Sequence, residues 1–285
     1  MAQAAPQVTD VAVDPEPGGG DVARPAERPE EAHVAREMHG ALAVLTMRSR
    51  PHNFLGTDLI AGVLSAVDRS VADGARAIVL RSGLRNFCAG ADVGIFESAD
   101  RGEAPDVDLV DVLRVFDELP VPIVAAVHGV CVGGGFELAL ACDLIVAAQS
   151  AKIGCVEATI GMNPLMGAMQ RITDRAGSAR AKEMALLARR YDPATLERWN
   201  VINRVVPDDS LEGVALTLGQ ELAHGPTVAH ASTKAVISYA AGHGPRATDA
   251  VMAELQKDIW TSNDLKVGLR SLAQNGPGAA RFEGR

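Results

Sequence analysis

The stretch Cys131–Asp143, CVGGGFELALACD, sets three consecutive glycines directly before a run of helix formers that carries a lone glutamate. The apolar spacing of FELALAC predicts a short buried helix from about Gly135 to Ala141. Gly133, Gly134 and Gly135 then stand at its N-terminus. There the first N–H groups lack intrahelical acceptors, the helix dipole presents partial positive charge, and missing side chains let another group approach closely. An oxyanion is what such a place stabilises. A tight strand-to-helix turn explains one glycine, and three in a row ask for more. Glu137 falls in the first turn among apolar neighbours, where an unpaired carboxylate is costly. It therefore has a buried partner or works as an acid or base.

Working outward, KIGCVEATIGMNP carries a second carboxylate, Glu157, in an apolar stretch between a short strand and a helix expected from about Pro164. Upstream, RNFCAGADVG (Arg85–Gly94) follows the apolar run AIVLRS and supplies another glycine-flanked turn with a backbone N–H to offer. Two N–H donors and two glutamates are the parts needed for proton chemistry beside a carbonyl. Short apolar runs (AIVLRS, IVAAVHG, DLIVAA) alternate with helical patterns over about Asp106–Glu118 and Gly135–Ala141. That alternation predicts stacked strand and helix units with largely parallel sheets. Before them come a hairpin around His39-Gly40, a turn at RSRPHN and a helix over about Thr57–Ala72. Beyond Pro164 the pattern is helical apart from a short strand in NVINRVVP.

Composition bounds the function. The chain has 285 residues, 47% of them hydrophobic, enough for a large core. Its formal net charge of −9 argues against general attraction to nucleic acid or an anionic membrane, although a local basic pocket remains compatible with it. No apolar run approaches a membrane span and no secretory signal stands at the N-terminus, so the cytoplasm is expected. Cys88, Cys131, Cys142 and Cys155 match no metal or redox spacing and read as buried free thiols. Residues 1–32, rich in Pro, Gly, Ala and acid, are expected to form a disordered tail. Residues 33–210 are expected to form the core, and 211–285 a C-terminal helical region.

These motifs resemble the enoyl-CoA hydratase/isomerase (crotonase) family over roughly Val34 to Arg285. RSRPHNFL resembles the family's Arg-Pro turn, NFCAGAD its Ala-Gly-Ala-Asp loop, and GGGFELALACD its glycine-rich helix. IGCVEATIGMNPLMGAMQRI resembles its second-glutamate loop, and WTSNDLKVGLRSLAQN its C-terminal helix. The resemblance implies an α/β spiral of stacked ββα units with C-terminal helices. It implies an oxyanion hole made by the N–H groups of Ala91 and Gly134, and catalysis by Glu137 and Glu157. Ala89, Asp92, Val93, Gly133 and Leu165 would contact the substrate. That substrate would be an acyl-CoA thioester, with coenzyme A as part of it, no separate cofactor and no metal. The assembly implied is a homotrimer or a dimer of trimers, without a nucleic-acid or membrane partner.

Both glutamates are kept, as in hydratases, which favours water addition to a 2-enoyl-CoA. An isomerase or thioester hydrolase on the same scaffold, or a non-catalytic binding protein, are the alternatives. Several positions depart from the family pattern. Gly94 stands where a lysine is frequent, His52 precedes the turn asparagine, and AQNG replaces a basic cluster. Arg50, Arg85 and Lys266 are the remaining candidates for CoA phosphates. Leu165 and Met166 are bulky where hydratases are small, and Ala168 replaces a glycine. Asp92 and Asp143 read as loop braces, and His128 as a hydrogen-bonded structural histidine.

Overall fold

The computed structural model describes residues 33–97, 101–102 and 109–285. Strands β1 (Val34–His39) and β2 (Leu42–Met47) form an antiparallel hairpin whose two-residue turn is Gly40-Ala41, one residue on from the expected His39-Gly40, with Gly40 at φ 64°. From β2 the sheet continues in parallel through β3 (Ala77–Ser82), β4 (Ile123–Val127), β6 (Leu144–Ala148) and β8 (Arg204–Val206). β5 (Val130–Val132) and β7 (Lys152–Gly154) pair in a second, smaller sheet. The expected stacking is visible in the chain order. β4 leads to β5 and then helix α3 (Gly134–Ala141), and β6 leads to β7 and then α4 (Ala168–Leu187). The segment after β3 bridges to β5 at Cys88 and Cys131 and so begins the same second layer.

The central strands are apolar on both sides because both faces are covered. Val44, Val79 and Val124 lie in register on one face, buried under α6 (Leu211–Ala223). Leu45, Leu80 and Ala125 face the other way into the main core, with α1 (Thr57–Ala72), α2 (Leu109–Glu118) and α3. Every residue of α3 is buried, which accounts for its uniformly apolar sequence apart from Glu137.

Two further expectations need correction or restriction. The helix expected from about Pro164 starts instead at Ala168, because Gly167 takes a left-handed conformation (φ 101°, ψ 16°) and breaks the turn before it. α4 is also interrupted at Gly177 (φ 81°, ψ 162°). The start of the helix expected from Asp106, and the whole of residues 1–32, lie outside the described residues. The short α5 (Pro193–Arg198) lies between α4 and β8, and after α6 come α7 (Thr227–His243), α8 (Pro245–Leu255), α9 (Lys257–Thr261) and α10 (Asn263–Asn275). Asp264, 1% exposed, ties the chain end to α10 by accepting from the N–H groups of Glu283 and Gly284, each at 2.9 Å. Among the described residues, no helix is long and apolar enough to cross a membrane.

Candidate active site

Each of the three glycines has its own structural reason. Gly133 adopts φ 55°, ψ −134°, which L side chains rarely reach, and its N–H donates to Gly154 O at 3.1 Å. A side chain on Gly134 would point at Leu55 Cδ2 (3.3 Å), Met166 Sδ (3.4 Å) and Ala91 N (3.8 Å). One on Gly135 would lie 2.6 Å from the Cys88 carbonyl oxygen, so α3 reaches the neighbouring strand only without a Cβ there.

The two expected donors stand close together. Leu55 pairs with the loop carrying Ala91: its N–H donates to Gly90 O (2.8 Å) and its carbonyl accepts from Asp92 N–H (3.1 Å). In a parallel bridge this turns the N–H of Ala91 itself away from Leu55, and Ala91 N lies 3.8 Å from where a Cβ of Gly134 would be. Neither the Ala91 nor the Gly134 N–H has a hydrogen-bond acceptor among the described residues.

Both glutamates are tied to Gly133, Glu137 by its backbone N–H to Gly133 O (3.0 Å) and Glu157 by its carboxylate. Glu137, 2% exposed, receives hydrogen bonds on Oε1 from the N–H groups of Met166 (2.8 Å) and Ala168 (3.0 Å). The buried partner that the sequence demanded is thus the backbone at the start of α4. Burial pushes the Glu137 carboxyl up to about 7, the N–H donors draw it partly back, and the charge of Glu157 raises it again. Glu157 heads a 3-10 turn (Glu157–Ile160), and its Oε1 lies 3.5 Å from where a Cβ of Gly133 would be. Both of its carboxylate oxygens are shut off from solvent without a hydrogen-bond partner among the described residues. Burial raises its pKa as well. The nearby N–H groups of Glu157 and Val156 lower it somewhat without making full hydrogen bonds.

The remaining positions fall around this centre or away from it. Ala89 donates to His52 O (3.1 Å), which fixes the loop that presents Ala91. Asp92 caps the following 3-10 turn through Gly94 N–H (2.9 Å), and Val93 stands 82% exposed beside it. Leu165 is partly buried against the core. Asp143 accepts from Ile123 N–H (2.7 Å) and pairs with Lys234 (2.8 Å), and the His128 Nε2–H donates to Leu84 O (2.8 Å). Both are braces, as read. The four cysteines are buried and unpaired. Arg50 and Lys266 are exposed, and Arg85 lies at the far end of the loop from Ala91. Sequence reasoning missed Leu55 as the residue that orients Ala91. Its only signal was a large apolar residue just after the Asn53 turn.

Known proteins similar to the chain define its family. The model of the enoyl-CoA hydratase/isomerase family matches residues 37–278. The chain is 33% identical over 263 residues to a "Probable enoyl-CoA hydratase" of Rhodobacter capsulatus, covering 89% of this chain and 99% of that one. It is 38% identical over 165 residues to a carnitinyl-CoA dehydratase of Citrobacter koseri, covering 56% of this chain and 62% of that one. A solved enoyl-CoA hydratase subunit I of Geobacillus kaustophilus HTA426 superposes with a TM-score of 0.80 at 28% identity, covering 89% of this chain and 98% of that one. The fold is therefore a crotonase fold. The chain belongs to the enoyl-CoA hydratase/isomerase family.

Proposed function

We propose that the protein is an enoyl-CoA hydratase, adding water across the 2,3 double bond of a 2-enoyl-CoA thioester. The observation that carries this reading is a pair of buried carboxylates, both with raised pKa, beside two neighbouring N–H groups without acceptors among the described residues. The thioester oxygen sits between Ala91 N–H and Gly134 N–H. As water adds at C3 the oxygen takes on enolate charge, and preorganised donors act most strongly where that charge develops. A single donor of this kind contributes about 3 kcal/mol.

The hydrogen bonding of Glu137 divides its oxygens. Oε1 is occupied by the Met166 and Ala168 N–H groups, which leaves Oε2 to hold the attacking water and take its proton. Glu157, with neither oxygen engaged, enters protonated and delivers its proton to C2. Water oxygen bonds to C3, one proton passes to Glu137 and one leaves Glu157, and proton exchange between the two acids resets the site. Burial raises both acids, and two interacting acids titrate as a pair that can share one proton.

Coenzyme A enters as part of the substrate and no separate cofactor is needed. The same reading places the protein in the cytoplasm as a trimer or a dimer of trimers, with no nucleic-acid or membrane partner. The test is to supply purified protein with crotonyl-CoA, longer 2-enoyl-CoAs and a 3-enoyl-CoA. Loss of the conjugated thioester absorbance with formation of the 3-hydroxyacyl product is expected. Conversion of the 3-enoyl to the 2-enoyl compound without a hydroxy product would make the protein an isomerase. Free coenzyme A release would make it a hydrolase, and no turnover of any substrate would leave a binding protein.

A further inference from the structure

Glu137 is held by the N–H groups of Met166 and Ala168, which flank Gly167, so the shape of one turn decides how its Oε1 is gripped. Gly167 stands at φ 101°, ψ 16°, and glycine leaves such a conformation as readily as it enters. The turn therefore needs a support from outside itself. The group lying against it is the guanidinium of Arg171. A Cβ on Gly167 would be 2.3 Å from Arg171 Nη1 and 3.6 Å from its Cζ. The Arg171 N–H also donates to Gly167 O at 3.2 Å, so backbone and side chain of one residue bracket the glycine.

A guanidinium in the first turn of α4 sits at the end of the helix dipole that disfavours a cation. It is offset there by Asp117, in the last turn of α2, which pairs with Arg171 Nη2. The pair is partly shielded, with the Arg171 side chain 19% exposed and that of Asp117 43%. The end of α2 is fixed in turn from α7: Lys234 donates to Phe116 O and Val121 O, each at 3.2 Å, and pairs with Asp143. A simple brace between α2 and α4 requires the ion pair but not the contact with Gly167. That contact sets a rigid planar group, anchored on a second helix, against the one residue between the two donors of Glu137.

We propose that Arg171, held by Asp117, is a positioning residue that pins the Gly167 turn and through it the two N–H donors on Glu137. Those donors favour the ionised carboxylate, so loosening the turn raises a pKa that burial already holds at about 7. Of the other titratable groups, Glu157 and Cys155 face Glu137 from the segment after β7. Lys234 of α7, Asp143 and Cys142 after α3, and Arg175 of α4 stand near the ion pair. All of these stay unchanged in the test. The effect on turnover rests on the proposed role of Glu137 as base, whereas the coupling itself does not.

Thermal unfolding of the full chain is followed against pH for the parent, Arg171→Met, Asp117→Asn and Arg171→Lys, each with and without Glu137→Gln. The difference that Glu137→Gln makes reports ionisation of Glu137 and needs no turnover. In the parent it grows as pH rises from about 4.5 and levels off near 7, because stability from the raised pKa is lost across that window. The levelling point should move up by about one unit in Arg171→Met and in Asp117→Asn, and by less in Arg171→Lys, which keeps the charge without the fork. The rising limb of kcat/KM against pH for crotonyl-CoA should move with it. A direct field of the charges acts differently, since losing the Asp117 charge would lower the pKa of Glu137. That opposite shift in Asp117→Asn, or a loss of stability that leaves the levelling point where the parent has it, overturns the proposal. The half-open side chain of Asp117 lets Asp117→Asn keep the fold and carry the test if Arg171→Met does not fold. Shifted melting curves without hydration by the parent would uphold the coupling and refute the hydratase reading alone.

Discussion

At Glu137 a single carboxylate has two tasks, and they pull on its proton in opposite directions, with burial the stronger. One oxygen organises the start of α4 through two N–H groups, and the same burial that makes those bonds strong holds the acid at about 7 instead of its ordinary 4.5. The folded chain therefore keeps a proton that the unfolded chain has lost, and this group's contribution to stability falls as pH rises from about 4.5 through about 7. At roughly 1.4 kcal/mol per pKa unit the loss reaches a few kcal/mol. Glu137→Gln keeps an acceptor for Met166 and Ala168 but cannot ionise. Melting curves of parent and variant should diverge by a few degrees in favour of the variant between pH 5 and pH 8. A difference that stays flat with pH would show that Glu137 is not held near neutrality. Glu157 shifts in the same direction.

At the scale of the element, the contact between α3 and the Cys88 strand decides how close together the donors stand. Gly135→Ala would place a Cβ 2.6 Å from the backbone oxygen and side chain of Cys88, in a wall of buried residues that has nowhere to move. Thermal unfolding should show a loss on the order of 3 kcal/mol, with hydration lost alongside. Unchanged stability would mean that α3 can slide, and with it Gly134. Gly167→Ala should cost less in packing, since the close contact is the far end of a side chain, Arg171 at 2.3 Å, which would have to shift against its pairing with Asp117, but its φ of 101° strains any side chain.

These elements also show what the sequence discloses. The hairpin, α1, α3 and the parallel strands were legible because burial on one or both faces writes a period into the residues. The start of α4 was not, because Gly167 and a carboxylate 30 residues upstream set it, and local pattern carries no such information. In the same way the glycine triplet announced an anion site, yet the reason for Gly135 is the Cys88 strand. The role of Leu55 is a backbone pairing with no side-chain signature.

For the whole molecule, the C-terminal helices leave apolar side chains in the open. Ile237 on α7, Trp260 on α9, and Leu269 and Leu272 on α10 are each more than half exposed, at 64%, 70%, 59% and 54%. Large apolar groups left on one set of late helices fit a surface between copies of the chain. Light scattering at micromolar concentration should give a mass three or six times that of the chain, and Trp260→Asp should shift it downward. A monomeric parent would contradict that assembly.

The central claim is that Glu137 and Glu157 serve one water beside a thioester held by Ala91 and Gly134, and the double-mutant cycle on those two acids tests it most directly. Turnover of crotonyl-CoA and affinity for a saturated acyl-CoA are measured for the parent, Glu137→Gln, Glu157→Gln and both together. Each single change should lower turnover by a factor on the order of a hundred or more while binding stays nearly unchanged, because an amide keeps the shape and loses the proton. The double variant should fall little further, since either loss alone disables the shared water. Full hydration surviving in Glu157→Gln, or losses that simply multiply in the double variant, would contradict the account.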